Sequence, residues 1–362
     1  MIKYIGSKRR LVPVLGELAG VLGARRVLDL FTGTTRVAQE LKRRGMHVTA
    51  VDSARYADVF ARCYIETDAA AVDGQQLDDA LRDLAARPGV DGYVTETFCV
   101  QSRFFQPFNG RRIDAIRDAI EVDYAASPLY PILLTSLIEA ADRVDSTTGV
   151  QMAYVKQWAP RSFRPLELRP PELLAGSGAA VRGDACELAG RLGPFDFAYL
   201  DPPYNQHRYF TNYHIWETLV AWDAPVFYGV ACKRVDSRDA ETHSPFNERA
   251  RMADALAGVI RDVNADVIAV SYNDESWVTI DQLEAMIAAR GGAVCKLAFD
   301  SRRYVGAQIG IHNPQGKKVG KVSRLRNVEY VMVGGDAAPV ARVVEQFAGR
   351  AEAWRSAATS PS

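Results

Sequence analysis

Cysteine is scarce in this chain of 362 residues, and what there is lies scattered. Cys63, Cys99, Cys186, Cys232 and Cys295 form no CxxC pair and no Cys/His metal spacing. That excludes a disulfide framework and a zinc knuckle, and it predicts reduced cysteines in a cytosolic protein with no metal. A charge excess is missing too: 44 basic residues face 44 acidic ones. With no overall field to attract a polyanion, any nucleic-acid partner must be met by local patches. No hydrophobic run reaches membrane-spanning length, and the N-terminus carries no apolar leader-like segment. No internal repeat is present.

What is there is an ordinary apolar fraction, 48%, in a chain long enough for one large α/β domain with an insertion. Short apolar runs read as strands: Arg26 to Phe31, His47 to Asp52, Ala180 to Asp184, Phe195 to Asp201, Asp266 to Tyr272, Ala293 to Phe299 and Val328 to Val333. A helix from Thr35 to Arg44, closed by Gly45, joins the first two. Further helices are expected from about Asn247 to Val263, from about Ile280 to Arg290 and from about Ala338. Strands alternating with helices argue for a doubly wound, mostly parallel sheet. Between about Ala70 and Gly178 the rhythm changes to mainly helical patterns, which reads as an inserted module.

In an open α/β sheet ligands bind beyond the carboxyl ends of the strands. Four acids stand at such ends: Asp29, Asp52, Asp184 and Asp201. A single one is most often a helix cap or turn residue; four in successive strands point to a ligand. The turn after the first strand, Thr32-Gly33-Thr34, has one glycine where a dinucleotide fingerprint has three, so a pyrophosphate is poorly served. An adenosine cofactor without phosphates suits it better, namely S-adenosylmethionine. Asp184 would take the adenine amino group, Asp52 the ribose diol, and the Asp29–Gly33 turn the methionine end.

Asp201-Pro202-Pro203-Tyr204 is the most specific signal in the chain. Asp201 and the Pro202 carbonyl can each accept a hydrogen from an exocyclic amine, the prolines restrict the turn, and Tyr204 offers a face for a base. The chain resembles the Dam-type (class alpha) DNA adenine-N6 methyltransferases, FokI-type modification enzymes in particular. Lys3-Tyr4-Ile5-Gly6-Ser7-Lys8 resembles their N-terminal cofactor motif, with Tyr4, Gly6, Ser7 and Lys8 as implied cofactor residues. Asp29-Leu30-Phe31-Thr32-Gly33-Thr34 resembles their FxG motif, which adds Phe31 and Thr34. The resemblance implies a Rossmann-like catalytic domain from residues 1–70 and 178–335, a recognition domain at 71–177, and a C-terminal helix and tail at 336–362. It implies methyl transfer to N6 of a flipped-out adenine, with Asp201, Pro202, Pro203 and Tyr204 catalytic and Asp201 also facing the cofactor.

Double-stranded DNA is the implied partner, with a restriction endonuclease as an optional companion. The stretch Arg103 to Arg112 is similar to the family's recognition region, and Asn109-Gly110 is a turn signal. Lys8, Asn109, Arg111, Arg112 and Arg161 are the candidates for DNA contact, and the acid-free stretch from Arg302 to Arg326 is a candidate clamp on the backbone. Internal salt bridges account for these arginines equally well. Tyr213 and Trp216 read as helix core. The same tetrad also suits an amine on RNA adenine, cytosine N4 or a protein amide. A non-catalytic binder and a nucleotide-dependent dehydrogenase are the remaining alternatives.

Overall fold

The computed structural model describes residues 2–5, 8, 11–204, 206–273, 276–302, 326–348 and 354–355. Gly6, Ser7 and most of the basic stretch from Arg302 to Arg326 lie outside them. In chain order the helices are α1 (Val12–Leu22), α2 (Arg36–Arg43), α3 (Arg55–Ala61), α4 (Gly74–Ala86), α5 (Pro107–Tyr124), α6 (Tyr130–Val144), α7 (Ala185–Leu188), α8 (Tyr209–Asn212), α9 (His214–Ala221), α10 (Met252–Asp262), α11 (Ile280–Ala288) and α12 (Ala337–Phe347). The strands are β1 (Arg26–Leu30), β2 (His47–Asp52), β3 (Ala179–Arg182), β4 (Phe195–Leu200), β5 (Phe227–Tyr228), β6 (Lys233–Arg234), β7 (Ala265–Asn273), β8 (Ala293–Arg302), β9 (Arg326–Gly335) and β10 (Trp354–Arg355). Every strand read from the sequence is present, within a few residues at its ends.

Contacts divide the chain into two compact units, each made of three segments. One comprises residues 1–5, 32–183 and 207–244; the other comprises 6–31, 184–206 and 245–362.

In the second unit β4 is flanked by β1 and β7, all parallel, with Phe197 opposite both Val27 and Val267. Its sequence, FDFAYL, is buried at five of six positions, as a strand covered on both faces must be. β9 then runs antiparallel to both β7 and β8, and β10 antiparallel to β8. The sheet is therefore mixed, its antiparallel part built from the last three strands. Helix α11 starts on a capping box, Thr279 with Gln282, which explains why its onset is readable from sequence. Helix α10 starts later than expected, because Pro245–Asn247 closes a separate 3-10 turn and Arg251 becomes the N-cap.

In the first unit β2 and β3 pair in parallel, with Val51 opposite Val181. The expected helical stretch is there as far as Val144, as α4, a π-helical turn at Thr95–Gln101, α5 and α6; from residue 145 to 178 the chain is instead irregular apart from a 3-10 turn at Pro160–Phe163. Helices α5 and α6 open with proline in their first turn, where the missing N–H costs nothing. Arg117 of α5 is 1% exposed, and its guanidinium reaches the carbonyls of Leu219 and Val220, closing the C-terminal end of α9. Asn109-Gly110 is not a turn. It lies inside α5, both residues buried, because Pro107 starts a helix there.

Candidate active site

The acceptor corner lies in the second unit. β4 delivers Asp201 one residue past its last paired position, where the Asp201 N–H points to Leu30 O at 3.5 Å. Behind it, Tyr199 donates its hydroxyl to Ser271 at 2.8 Å, so the strand end is anchored from a neighbouring strand. Lys8 Nζ stands 3.1 Å from Asp201 Oδ1, a charge contact without the alignment of a good hydrogen bond. The Lys8 side chain is only 5% exposed and that of Asp201 is 20% exposed, so water screens the pair weakly.

Burial pushes the Asp201 carboxyl up to about 6, against the pull of Lys8, while Glu329 pushes the same way as burial. Burial would depress the Lys8 ammonium, but Asp201, Tyr204 and Glu329 outweigh it and hold Lys8 protonated. Lys8 also sits over the Tyr204 ring, 5.5 Å from its centroid. Tyr204 meets Tyr272 edge to face at 5.9 Å. Pro202 is buried, and Pro203 and Tyr204 are half-buried. The corner therefore presents a carboxylate held by one cation beside a partly accessible aromatic ring.

A second cluster lies in the first unit, where β2 ends at Asp52. Its Oδ2 accepts the Gly33 N–H at 2.9 Å and its Oδ1 accepts the Ala54 N–H at 3.0 Å. Burial raises the Asp52 carboxyl and these backbone bonds oppose it. Thr32 N–H bonds to Val51 O at 2.9 Å, and the carbonyl of buried Thr34 accepts from the Thr35 hydroxyl. Gly33 has φ +53°, and a Cβ there would come within 3.2 Å of Tyr4 Cε1. The positive φ favours glycine, and any added methyl would also need the Tyr4 ring to shift by a few tenths of an ångström. Phe31 (φ 76°) and Thr35 (φ 60°) are non-glycine residues in the left-handed region, a strained conformation that concentrates at functional turns.

Tyrosines wall this cluster. Tyr4 stacks on Tyr213 at 4.6 Å and on Tyr209 at 5.4 Å, and its hydroxyl lies 3.1 Å from that of Tyr56. A carboxylate with lone pairs to spare, a glycine turn without a phosphate cradle and an aromatic wall fit the diol and base of an adenosine group. Asp29, 1% exposed, is inside β1 in the second unit. Asp184, also in that unit, caps α7 by accepting the Cys186 N–H at 2.6 Å.

The model of the D12 class N6 adenine-specific DNA methyltransferase family matches residues 4–286. The chain belongs to that family. The methyltransferase is 30% identical over 318 residues to "Type II methyltransferase M.NlaIII" of Neisseria lactamica, covering 84% of this chain and 92% of that one. It is 26% identical to "Type II methyltransferase M.CviAII" of Paramecium bursaria Chlorella virus 1, covering 85% and 94%. To "Type II methyltransferase M.FokI" of Planomicrobium okeanokoites it is 25% identical, covering 80% of this chain but only 47% of the relative. The FokI likeness expected from the sequence is thus present over about half of that protein, whereas M.NlaIII matches almost end to end.

The candidate DNA-contacting side chains of the methyltransferase are engaged within the protein. Asn109 is fully buried: its amide donates to Ser162 O and Arg164 O, and its carbonyl accepts from Leu166 N. It holds the segment around residues 162–166 against α5, which corrects its placement in an exposed loop. Arg111 pairs with Asp91 at 2.7 Å, Arg112 donates to Ala85 O, and Arg161 pairs with Asp145 at 2.6 Å. Arg111 and Arg161 keep substantial exposure; Lys8 does not, being the counter-ion of Asp201. Trp216 is 1% exposed on α9, as helix core predicts; Tyr213 is equally buried but lies at the N-cap of α9, where its ring joins the Tyr4 stack. Glu329, Tyr272, Tyr56 and Glu217 are the residues sequence reasoning missed. Only Tyr272, in a strong strand pattern, had any local signal.

Proposed function

We propose that the methyltransferase is a site-specific, Dam-type enzyme that transfers a methyl group from S-adenosylmethionine to N6 of an adenine turned out of duplex DNA. The observation that carries this reading is the half-buried Asp201 carboxylate at the end of β4, ion-paired to Lys8 and followed by Pro202, Pro203 and the Tyr204 ring.

Turning the base out costs a few kcal/mol and exposes its amine to the corner. Tyr204 then stacks on the ring, and Asp201 Oδ2 and the Pro202 carbonyl accept the two N6 hydrogens. Those bonds draw the nitrogen lone pair out of conjugation and orient it, which is where the rate gain arises. When bound, the cofactor supplies an electrophilic sulfonium methyl group. As the new C–N bond forms and the C–S bond breaks, N6 becomes cationic, and its surplus proton passes to Asp201 or to water. Lys8 keeps Asp201 ionised at neutral pH against the effect of burial. No metal takes part in this scheme.

On the cofactor side Asp52 receives the ribose diol, and Tyr4, Gly33 and Thr34 shape the turn and wall around it; Phe31, Gly6 and Ser7 are further residues of the two cofactor motifs. Asp29 and Asp184 retain their proposed parts at the methionine and adenine ends, Asp184 with the oxygen its cap leaves. Residues 71–177 form the recognition module, with Arg111, Arg112 and Arg161 toward DNA, and residues 336–362 an appended helix and tail. The enzyme works in the bacterial cytosol, within a restriction-modification system or alone.

The test uses tritiated S-adenosylmethionine with unmethylated duplex DNA, RNA and protein. Label is expected in DNA adenine only. Asp201→Ala should lower kcat by about 10³-fold or more, roughly 4 kcal/mol, while cofactor affinity stays within about threefold. Label in RNA or protein but not DNA, or full turnover by Asp201→Ala, would overturn the reading.

A further inference from the structure

Helix α3 lacks a cap of its own. Its N-cap residue is Ala54, whose side chain accepts nothing from the open N–H groups of the first turn. The acceptor comes from 162 positions along the chain: Glu217 Oε1, on α9, takes the Arg55 N–H at 2.8 Å. Glu217 is only 1% exposed. Burial pushes its carboxyl up to about 7, with Arg55 and the backbone N–H groups of Tyr56 and Arg55 opposing. A helix end at residue 55 does not by itself call for so buried a carboxylate, since serine or aspartate at position 54 would do the same work locally.

Tyr213, the N-cap residue just before α9, makes a second grip four residues earlier. The Tyr213 hydroxyl accepts the Ile5 N–H at 2.7 Å, and its ring stacks on Tyr4. Both grips land on one cluster. Arg55 follows Asp52 by three residues, Asp52 bonds to both Ala54 N and Gly33 N, and Tyr56 meets the Tyr4 hydroxyl. Tyr213 thus places one part of the aromatic wall, and Glu217 places the turn that carries the carboxylate.

We propose that Glu217 of α9, acting with Tyr213 at that helix's N-cap, is a positioning residue for the cofactor: it fixes the Asp52–Tyr56 turn so that Asp52 and the tyrosine wall meet the adenosine group of S-adenosylmethionine. This rests on the assignment of Asp52 to the ribose. Glu217 touches no reacting atom, so its loss should weaken cofactor capture and leave the transfer step alone.

The experiment measures S-adenosylmethionine affinity, KM for cofactor and DNA, kcat and melting temperature on the full chain. Glu217→Ala should raise the cofactor KM roughly tenfold, with kcat at saturating cofactor and KM for DNA within about threefold. Glu217→Gln keeps the acceptor oxygen and should restore most of the affinity. Should Glu217→Ala fail to fold, Ala54→Ser is added to supply a local cap; folding is then expected to return with the cofactor KM still raised. An unchanged cofactor KM in Glu217→Ala, a Gln variant as weak as the Ala variant, or full recovery by Ala54→Ser would each overturn the inference. Asp52→Ala separates the two claims. If it leaves cofactor affinity intact, the ribose assignment fails; if it weakens affinity and Glu217→Ala does not, only the role of Glu217 fails.

Discussion

Asp201 is asked to be charged in a place that disfavours charge, and Lys8 is what makes that tolerable. Removing water from a carboxylate raises its pKa, and a cation within hydrogen-bond distance lowers it again. In this protein the balance leaves the carboxyl at about 6. In its proposed role as an acceptor of N6 hydrogens it works as the carboxylate, so activity should fall as pH drops through about 6. Lys8→Met takes away the opposing pull and moves the carboxyl higher, so the acid limb of kcat/KM should shift to higher pH and activity at pH 7 should drop. A pH–rate profile with labelled cofactor reads this directly. An unmoved acid limb would show that Lys8 does not set the charge of Asp201. The tetrad was visible in the sequence because its four residues are contiguous. Lys8 was visible as a residue of the N-terminal motif and a candidate DNA contact, but not as the partner of Asp201, since nothing local says that residue 8 meets residue 201.

At the scale of elements, local chemistry decided much and lost in places. His47–Asp52 is a strand with the bounds its apolar run suggests, and the capping box marked α11 from its own residues. Asn109-Gly110 went the other way: Pro107 starts α5, and the Asn109 amide finds three backbone partners between Ser162 and Leu166, which together outweigh a two-residue turn preference. The turn after β1 was legible through Gly33, but not the reason for it, which is the Tyr4 ring against its Cα hydrogen side. Gly33→Ala should therefore cost about 1–2 kcal/mol for the left-handed backbone, with a further penalty from Tyr4. The expected result is a cofactor KM raised roughly tenfold with a modest loss of melting temperature. A variant with unchanged cofactor binding would remove the turn from the cofactor site.

Across the whole molecule, zero net charge sets how DNA can be held. On the proposed reading attraction comes from local cations such as Arg111 and Arg161, each of which has an acidic partner in this structure. The logarithm of duplex affinity against the logarithm of salt concentration should accordingly give a modest slope, about −3 to −6, corresponding to a few phosphates. Arg111→Ala and Arg161→Ala should each flatten it by about 1. A slope near zero, or one that neither variant changes, would exclude them as phosphate contacts.

The sequence alone determined the strand order along the chain, Asp52 and Asp201 at the ends of β2 and β4, the single-glycine turn and the family, because each is written in adjacent residues or a short period. The tertiary structure decided the partners: Lys8 for Asp201, Glu217 for the uncapped α3, Tyr213 for Tyr4 and Asp145 for Arg161. These join residues from 16 to 209 positions apart. Charge pairing and burial depend on distance in space, which no local pattern encodes.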